Sequence, residues 1–140
     1  MAIPFPSKEW TQAFVDAINA NPRYREAAKE WRHGQVAYVL HADPRLGLDE
    51  DMAILLDLHE GQCRGGSYLS AREAEARADF VVSANYQQWK EVLSGAIDPT
   101  KAMMQGKLSL KKGHLPTLLK FVIASKEIVK SAATIPTEFP

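Results

Sequence analysis

The apolar residues of this chain change their spacing several times, and each change marks a boundary between predicted elements. Behind Ser7, a good N-cap, Trp10, Phe14, Ala17 and Ile18 fall on one helical face. Pro22 stops that helix and opens a second, with Asn21 as its cap. In the second, Tyr24, Ala28 and Trp31 share a face, and Gly34 supplies a left-handed stop. From residue 35 the period falls to two. Over 35–42, Val36, Tyr38 and Leu40 alternate with Ala37, Val39 and His41. Over 52–60, Ile54, Leu56 and Leu58 alternate with Leu55, Asp57 and His59. Period two predicts strands with one drier face.

Gly61-Gln62 reads as a tight hairpin into a third strand over 63–71, weakened by Gly65 and Gly66. "REAEAR" (72–77) reads as an exposed charged connection, and 78–85 as a fourth strand with Phe80, Val82 and Ala84 on one face. Tyr86, Trp89 and Leu93 return to helical spacing before Gly95. Asp98 caps a short helix begun by Pro99 and ended by Gly106; 107–112 is a fifth strand. One last helix runs through 114–134, followed by an irregular "TIPTEF". The expected organisation is a single domain over 1–140. It has N-terminal helices (1–33), four strands (35–85), two helices (86–106), the fifth strand and the C-terminal helix. This order predicts an α+β fold, a five-stranded mainly antiparallel sheet with helices packed on one face.

Composition fits a globular chain: 46% hydrophobic and 24% charged residues, with net charge zero. The charge is uneven, −5 over residues 1–100 and +5 over 101–140. A basic C-terminal part can face an anionic membrane surface or ligand headgroup, or folding can mix it with the acidic part. No apolar run is long enough to span a membrane, and the N-terminus lacks a secretory pattern. The lone Cys63 excludes an internal disulfide and suggests a reducing, cytoplasmic setting.

Candidate chemistry is sparse. His41 and His59 lie on neighbouring predicted strands, but no spacing resembles a metal-ligand motif. Cys63 and His59 flank a hairpin with no third orienting residue, so a structural cysteine is expected. No phosphate-binding glycine fingerprint and no nucleophile elbow occur, and the lysines are not interleaved with aromatics as nucleic-acid binding requires. No catalytic residue, metal or cofactor is expected.

What remains is an apolar surplus. Consecutive helical residues point about 100° apart, so Met103 and Met104 cannot address the same neighbour. Leu118, Leu119, Phe121, Val122 and Ile123 nearly encircle the last helix. A helix apolar all round has a partner on more than one side: another helix, another subunit or a bound apolar molecule. Methionine suits the lining of an adaptable apolar space.

"ADFVVSANYQQWKEVLSGAIDPTKAMMQGKLSLKKG" resembles the signature half of the sterol carrier protein type-2 family. Ala78-Asp79 begins a strand; Trp89, Leu93 and Gly95 follow as W-x-x-x-L-x-G; Asp98-Pro99 starts a helix; Ala102, Gly106, Lys107, Leu108 and Gly113 complete the pattern. The close match covers about a quarter of the chain, and the element order fits nearly all of it. The resemblance implies an apolar tunnel between sheet and helices that holds a lipid. Carried over position by position, it nominates Trp89, Leu93, Met103, Met104, Leu108 and Leu110 as lining. The last helix adds Leu118, Leu119, Val122 and Ile123. Gln105 is the candidate to hydrogen-bond a ligand's polar end. The family usually has Asp or Asn where this chain has His114, and the peroxisomal tripeptide of animal members is replaced by "TEFP". The pattern is that of a stand-alone prokaryotic member.

Three functions follow as expectations. The first is a non-catalytic carrier for fatty acid, fatty acyl-CoA, phospholipid or sterol-like ligands, a monomer or weak homodimer in transient contact with anionic membranes. The second is an interaction module whose apolar surface is a protein interface. The third is a small enzyme using the His41/His59 face.

Overall fold

The computed structural model describes residues 2–140. In chain order its elements are β1 (Ile3–Pro4), α1 (Lys8–Asn19), α2 (Pro22–Ala27), β2 (Gln35–Leu40), β3 (Met52–His59), β4 (Gln62–Ser70), α3 (Ala71–Arg77), β5 (Phe80–Ala84), α4 (Tyr86–Leu93), α5 (Pro99–Met104), β6 (Ser109–Lys112), α6 (Leu115–Lys120), α7 (Val122–Ala133) and β7 (Thr137–Glu138). The main sheet has the order β4-β3-β2-β5-β6. Among the described residues of this sheet β2 and β5 pair in parallel and the other neighbours are antiparallel. A parallel pair needs a crossover, and here β3, β4 and α3 supply it.

The helix starts expected from sequence are present. Ser7 Oγ accepts from Trp10 N, Asn21 Oδ1 from Arg23 N and Tyr24 N, and Asp98 Oδ1 from Thr100 N and Lys101 N. Asn85 and Gln88 add a reciprocal capping box to α4. The strand faces alternate as the period predicts. Val36, Leu40, Ile54, Leu56, Leu58, Phe80 and Val82 join the main core beneath the helices, while Ala37, Val39, Leu55 and Val81 point to the other side.

That other side is covered, which corrects the reading of 72–77 as an exposed connection. The segment is α3, capped by Ser70 Oγ, and it buries Ala71 and Ala74 against Ala37, Val39, Ala53 and Leu55. Four further differences are local. The helix begun at Pro22 ends at Ala27, and Gly34, at φ +98°, instead leads into β2. The two-residue hairpin is Glu60-Gly61, because His59 pairs with Gln62. The C-terminal helix is two helices, broken at Phe121 (φ −109°, ψ 33°). The C-terminal segment is not wholly irregular, since β7 pairs in parallel with β1.

Gly66 has a packing role beyond weakening β4. A Cβ on Gly66 would lie 2.7 Å from Val15 Cγ2 and 3.3 Å from Thr11 Cγ2, both on α1. The bare backbone therefore lets α1 lie directly on the sheet. On the helical side α7 packs against α1, α2, α4 and α5, and so gathers them into one layer. Asn21 ties α2 to α7, donating to Glu127 O, Glu127 Oε1 and Ser131 Oγ at 3.3, 3.2 and 3.0 Å. Among the described residues no helix is long and apolar enough to cross a membrane.

Candidate functional site: an apolar cavity between sheet and helices

Between the helical layer and the sheet lies a cavity of about 90 Å³, measured as the volume open to the centre of a water-sized sphere. One such centre needs only about 10–15 Å³, so the space exceeds an ordinary packing defect several-fold. Its floor is the sheet, through Val36, Tyr38, Leu40, Ile54 and Val82. Its roof comes from Phe14 of α1, Tyr24 of α2, Trp89 of α4, Met103 of α5, and Ala124 and Ile128 of α7. Among the described residues no charged side chain lines it.

Aromatic rings hold its walls in place. Phe5, Trp10 and Phe14 pack in series, the first pair edge-on and the second tilted, with centroids 4.8 and 4.9 Å apart. Trp31 meets Phe80 at 5.3 Å and Phe121 at 4.9 Å. Trp89 stands edge-on to Tyr38 at 5.7 Å. The polar tips of the three indoles are satisfied within the protein. Trp10 Nε1 donates to Thr137 Oγ1, Trp31 Nε1 to Gly34 O and Trp89 Nε1 to Val39 O, at 3.0, 3.0 and 2.8 Å. Each ring thus shows the cavity its apolar body.

Six of the residues nominated from sequence surround this space: Trp89, Leu93, Met103, Leu108, Leu118 and Leu119. The other five do not. Met104 points outward at 82% exposure, as the 100° separation from Met103 requires. Gln105 is the exposed C-cap of α5. Leu110 packs against the core without reaching the cavity. Val122 and Ile123 face a separate shallow groove beside α2, with Ile123 63% exposed. The N-terminal half contributes as much wall as the C-terminal half. Phe14, Tyr24, Trp31 and Tyr38 are visible in the sequence only as members of apolar faces.

Three of the seven lysines in the basic C-terminal part pair with the acidic part. Lys107 pairs with Glu91 (3.7 Å), Lys111 with Glu75 (3.0 Å) and Lys126 with Asp98 (3.3 Å). His114, at the start of α6, bonds Thr117 Oγ1 through Nδ1 at 3.0 Å. His59 Nε2 lies 3.1 Å from Glu60 Oε1 and does not engage Cys63. Cys63 is buried, 4% exposed, and its thiol approaches Gly65 O at 3.5 Å. Burial pushes the Cys63 thiol up to about 11, so it is protonated at neutral pH.

Helices laid over a mixed sheet thus surround an uncharged apolar cavity, the kind of space that suits an apolar ligand. The sequence model of the SCP-2 sterol transfer family matches residues 14–122. A crystal structure of sterol carrier protein 2 is 38% identical, with a TM-score of 0.85, covering 92% of this chain and 97% of its own. A conserved hypothetical protein from Thermus thermophilus, described as possibly a sterol carrier protein, is 37% identical with a TM-score of 0.85, covering 94% and 90%. The apo form of sterol carrier protein 2 from Yarrowia lipolytica shares the fold at 16% identity and a TM-score of 0.55, covering 88% of each chain. A search of curated protein sequences finds no match. The chain belongs to the SCP-2 sterol transfer family, whose theme is lipid or sterol binding and transfer.

Proposed function

We propose that this protein is a non-catalytic carrier that encloses one lipid or fatty acyl chain between its sheet and its helices. The observation that carries the reading is the uncharged cavity between the sheet and the helices, left unfilled by the protein's own side chains. Each buried methylene contributes about 0.8 kcal/mol. About 12 enclosed methylenes therefore yield on the order of 10 kcal/mol before ordering costs. Methylenes carry little identity, so fatty acids, acyl-CoA, phospholipids and sterol-like molecules compete for the same space.

Trp89, Leu93, Met103, Leu108, Leu118 and Leu119 are the contacts this reading assigns from the C-terminal half. It also assigns α6 the transient contact with an anionic membrane surface. That helix buries no residue, its Leu115 and Leu119 are exposed, and Lys120 at its end has no ion pair among the described residues. Native mass spectrometry of the purified protein tests the carrier reading. A co-purified lipid at up to one per chain is expected; a protein that carries and accepts no lipid contradicts it.

A second reading uses the exposed Met104 and Ile123 as an interface between protein molecules. Sedimentation at micromolar concentration separates the two, since a monomer discounts the interface.

A further inference from the structure

Among the described residues Tyr24, Tyr38, Tyr68, Thr100 and Ser125 line the cavity with hydroxyls that make no hydrogen bond within the protein, and of the three tyrosines Tyr24 and Tyr38 are the more deeply buried. Tyr24, on α2, is only 1% exposed; Tyr38 stands on β2, the middle strand of the sheet. Both rings line the cavity. Buried hydroxyls ordinarily find a hydrogen bond. Tyr86 illustrates the rule, donating to Pro140 O at 2.8 Å. Among the described residues, every fully enclosed side-chain nitrogen or oxygen has a partner. The Tyr24 and Tyr38 hydroxyls have none, so they are not fully enclosed, and both residues border the cavity.

The backbone of Tyr24 and the ring of Tyr38 are both held in place. Tyr24 N donates to the Asn21 cap at 3.2 Å, and Trp89 braces Tyr38 edge-on. Burial, reinforced by each group's neighbours, holds both phenols above their ordinary pKa, so each is a neutral donor. Among the described residues no Lys, Arg or His lines the space. An ionised carboxylate or phosphate placed there would lose its water and gain no counter-ion. A hydroxyl or carbonyl oxygen would lose its water and gain two donors.

We infer that Tyr24 and Tyr38 form a polar anchor inside the cavity, which takes the neutral oxygen, hydroxyl or carbonyl, at the inserted end of an otherwise apolar lipid. This rests on the carrier reading and deepens it. It gives the polar end an interior place in the N-terminal half, in the role the sequence assigned to the exposed Gln105. An anionic group on such a lipid would stay outside.

The test compares two fluorescent probes, cis-parinaryl alcohol, which has a terminal hydroxyl, and diphenylhexatriene, a hydrocarbon. Each is titrated into the wild type and into the Tyr24→Phe, Tyr38→Phe and double variants. Phenylalanine keeps the ring and removes only the donor. The double variant should bind the alcohol on the order of tenfold more weakly, with hydrocarbon affinity unchanged. The single variants carry the same comparison if the double variant fails to fold. Unchanged affinity for the alcohol, or an equal loss for both probes, overturns the anchor. If the wild type binds neither probe, the carrier reading itself fails, and the anchor with it.

Discussion

Trp89 donates its indole N–H to the backbone carbonyl of Val39 at 2.8 Å, across the interior of the protein. This bond fixes α4 over the middle of the sheet and sets the Trp89 ring against Tyr38. Trp89→Phe removes the donor and leaves a buried carbonyl short of a partner, which costs about 1–3 kcal/mol. Urea unfolding should show that loss as a lower midpoint with an unchanged slope.

Asn21 serves two helices at once. Its side-chain oxygen caps α2, while its amide nitrogen bonds Glu127 and Ser131 of α7. Asn21→Asp keeps the cap but sets a second carboxylate against Glu127, which is only 6% exposed. Asn21→Ser also keeps a cap and adds no charge. At pH 7 the Asp variant should therefore be less stable than the Ser variant. Chemical denaturation of the pair, in which the order of stability is the readout, checks this.

Gly66 is where α1 meets the sheet. Any side chain there enters the space of Val15 and Thr11 and comes within 3.2 Å of Leu56 Cδ2. Overpacking of this kind costs about 1–3 kcal/mol. Gly66→Val should lower the thermal midpoint more than Gly65→Val, because a Cβ on Gly65 meets nothing within 4 Å.

Cys63 predicts a direction with pH. Its thiol is raised from 9.0 to about 11 in the folded protein. Between those values the unfolded chain has released a proton that the folded chain keeps, so stability falls as pH rises through that window and is unaffected below it. Tyr24 and Tyr38, raised for the same reason, act in the same direction at higher pH. Denaturation from pH 8 to 11 should show a decline that is shallower in Cys63→Ala. At pH 8 the folded protein should react slowly with a disulfide reagent, and rapidly once unfolded.

The strands and most helix boundaries are legible because their signals are local. Period-two alternation marks β2 and β3, and Ser7, Asn21 and Asp98 cap their helices where the sequence places them. α3 escapes such a reading because its buried stripe is made of alanines, Ala71 and Ala74, among charged residues, and so gives a weak apolar signal. The break at Phe121 has no proline or glycine at the position itself; there the ring packs against Trp31 and His33, a contact decided far away in the chain. The pairing of β1 with β7 spans two residues in each strand, too few for any periodicity to register.

The candidate site divides the same way. The motif Trp89 to Leu108 marks part of the wall, because the family's signature falls there. The spacing of Met103 and Met104 shows that they must diverge, but which one turns inward is set by how α5 packs on α7. The tyrosines cannot be singled out from sequence at all. Tyr24 and Tyr38 are 14 residues apart on different elements, and only the folded chain turns both toward one cavity.

The most direct test of the account is isotope-filtered nuclear Overhauser spectroscopy with 13C-labelled palmitate added to the unlabelled protein at one equivalent. The acyl-chain protons should show contacts to the Met103 methyl, the Trp89 indole and the Leu118 methyls. Absence of binding, or contacts confined to outward side chains such as Met104 and Ile123, would contradict a cavity that holds its ligand between the sheet and the helices.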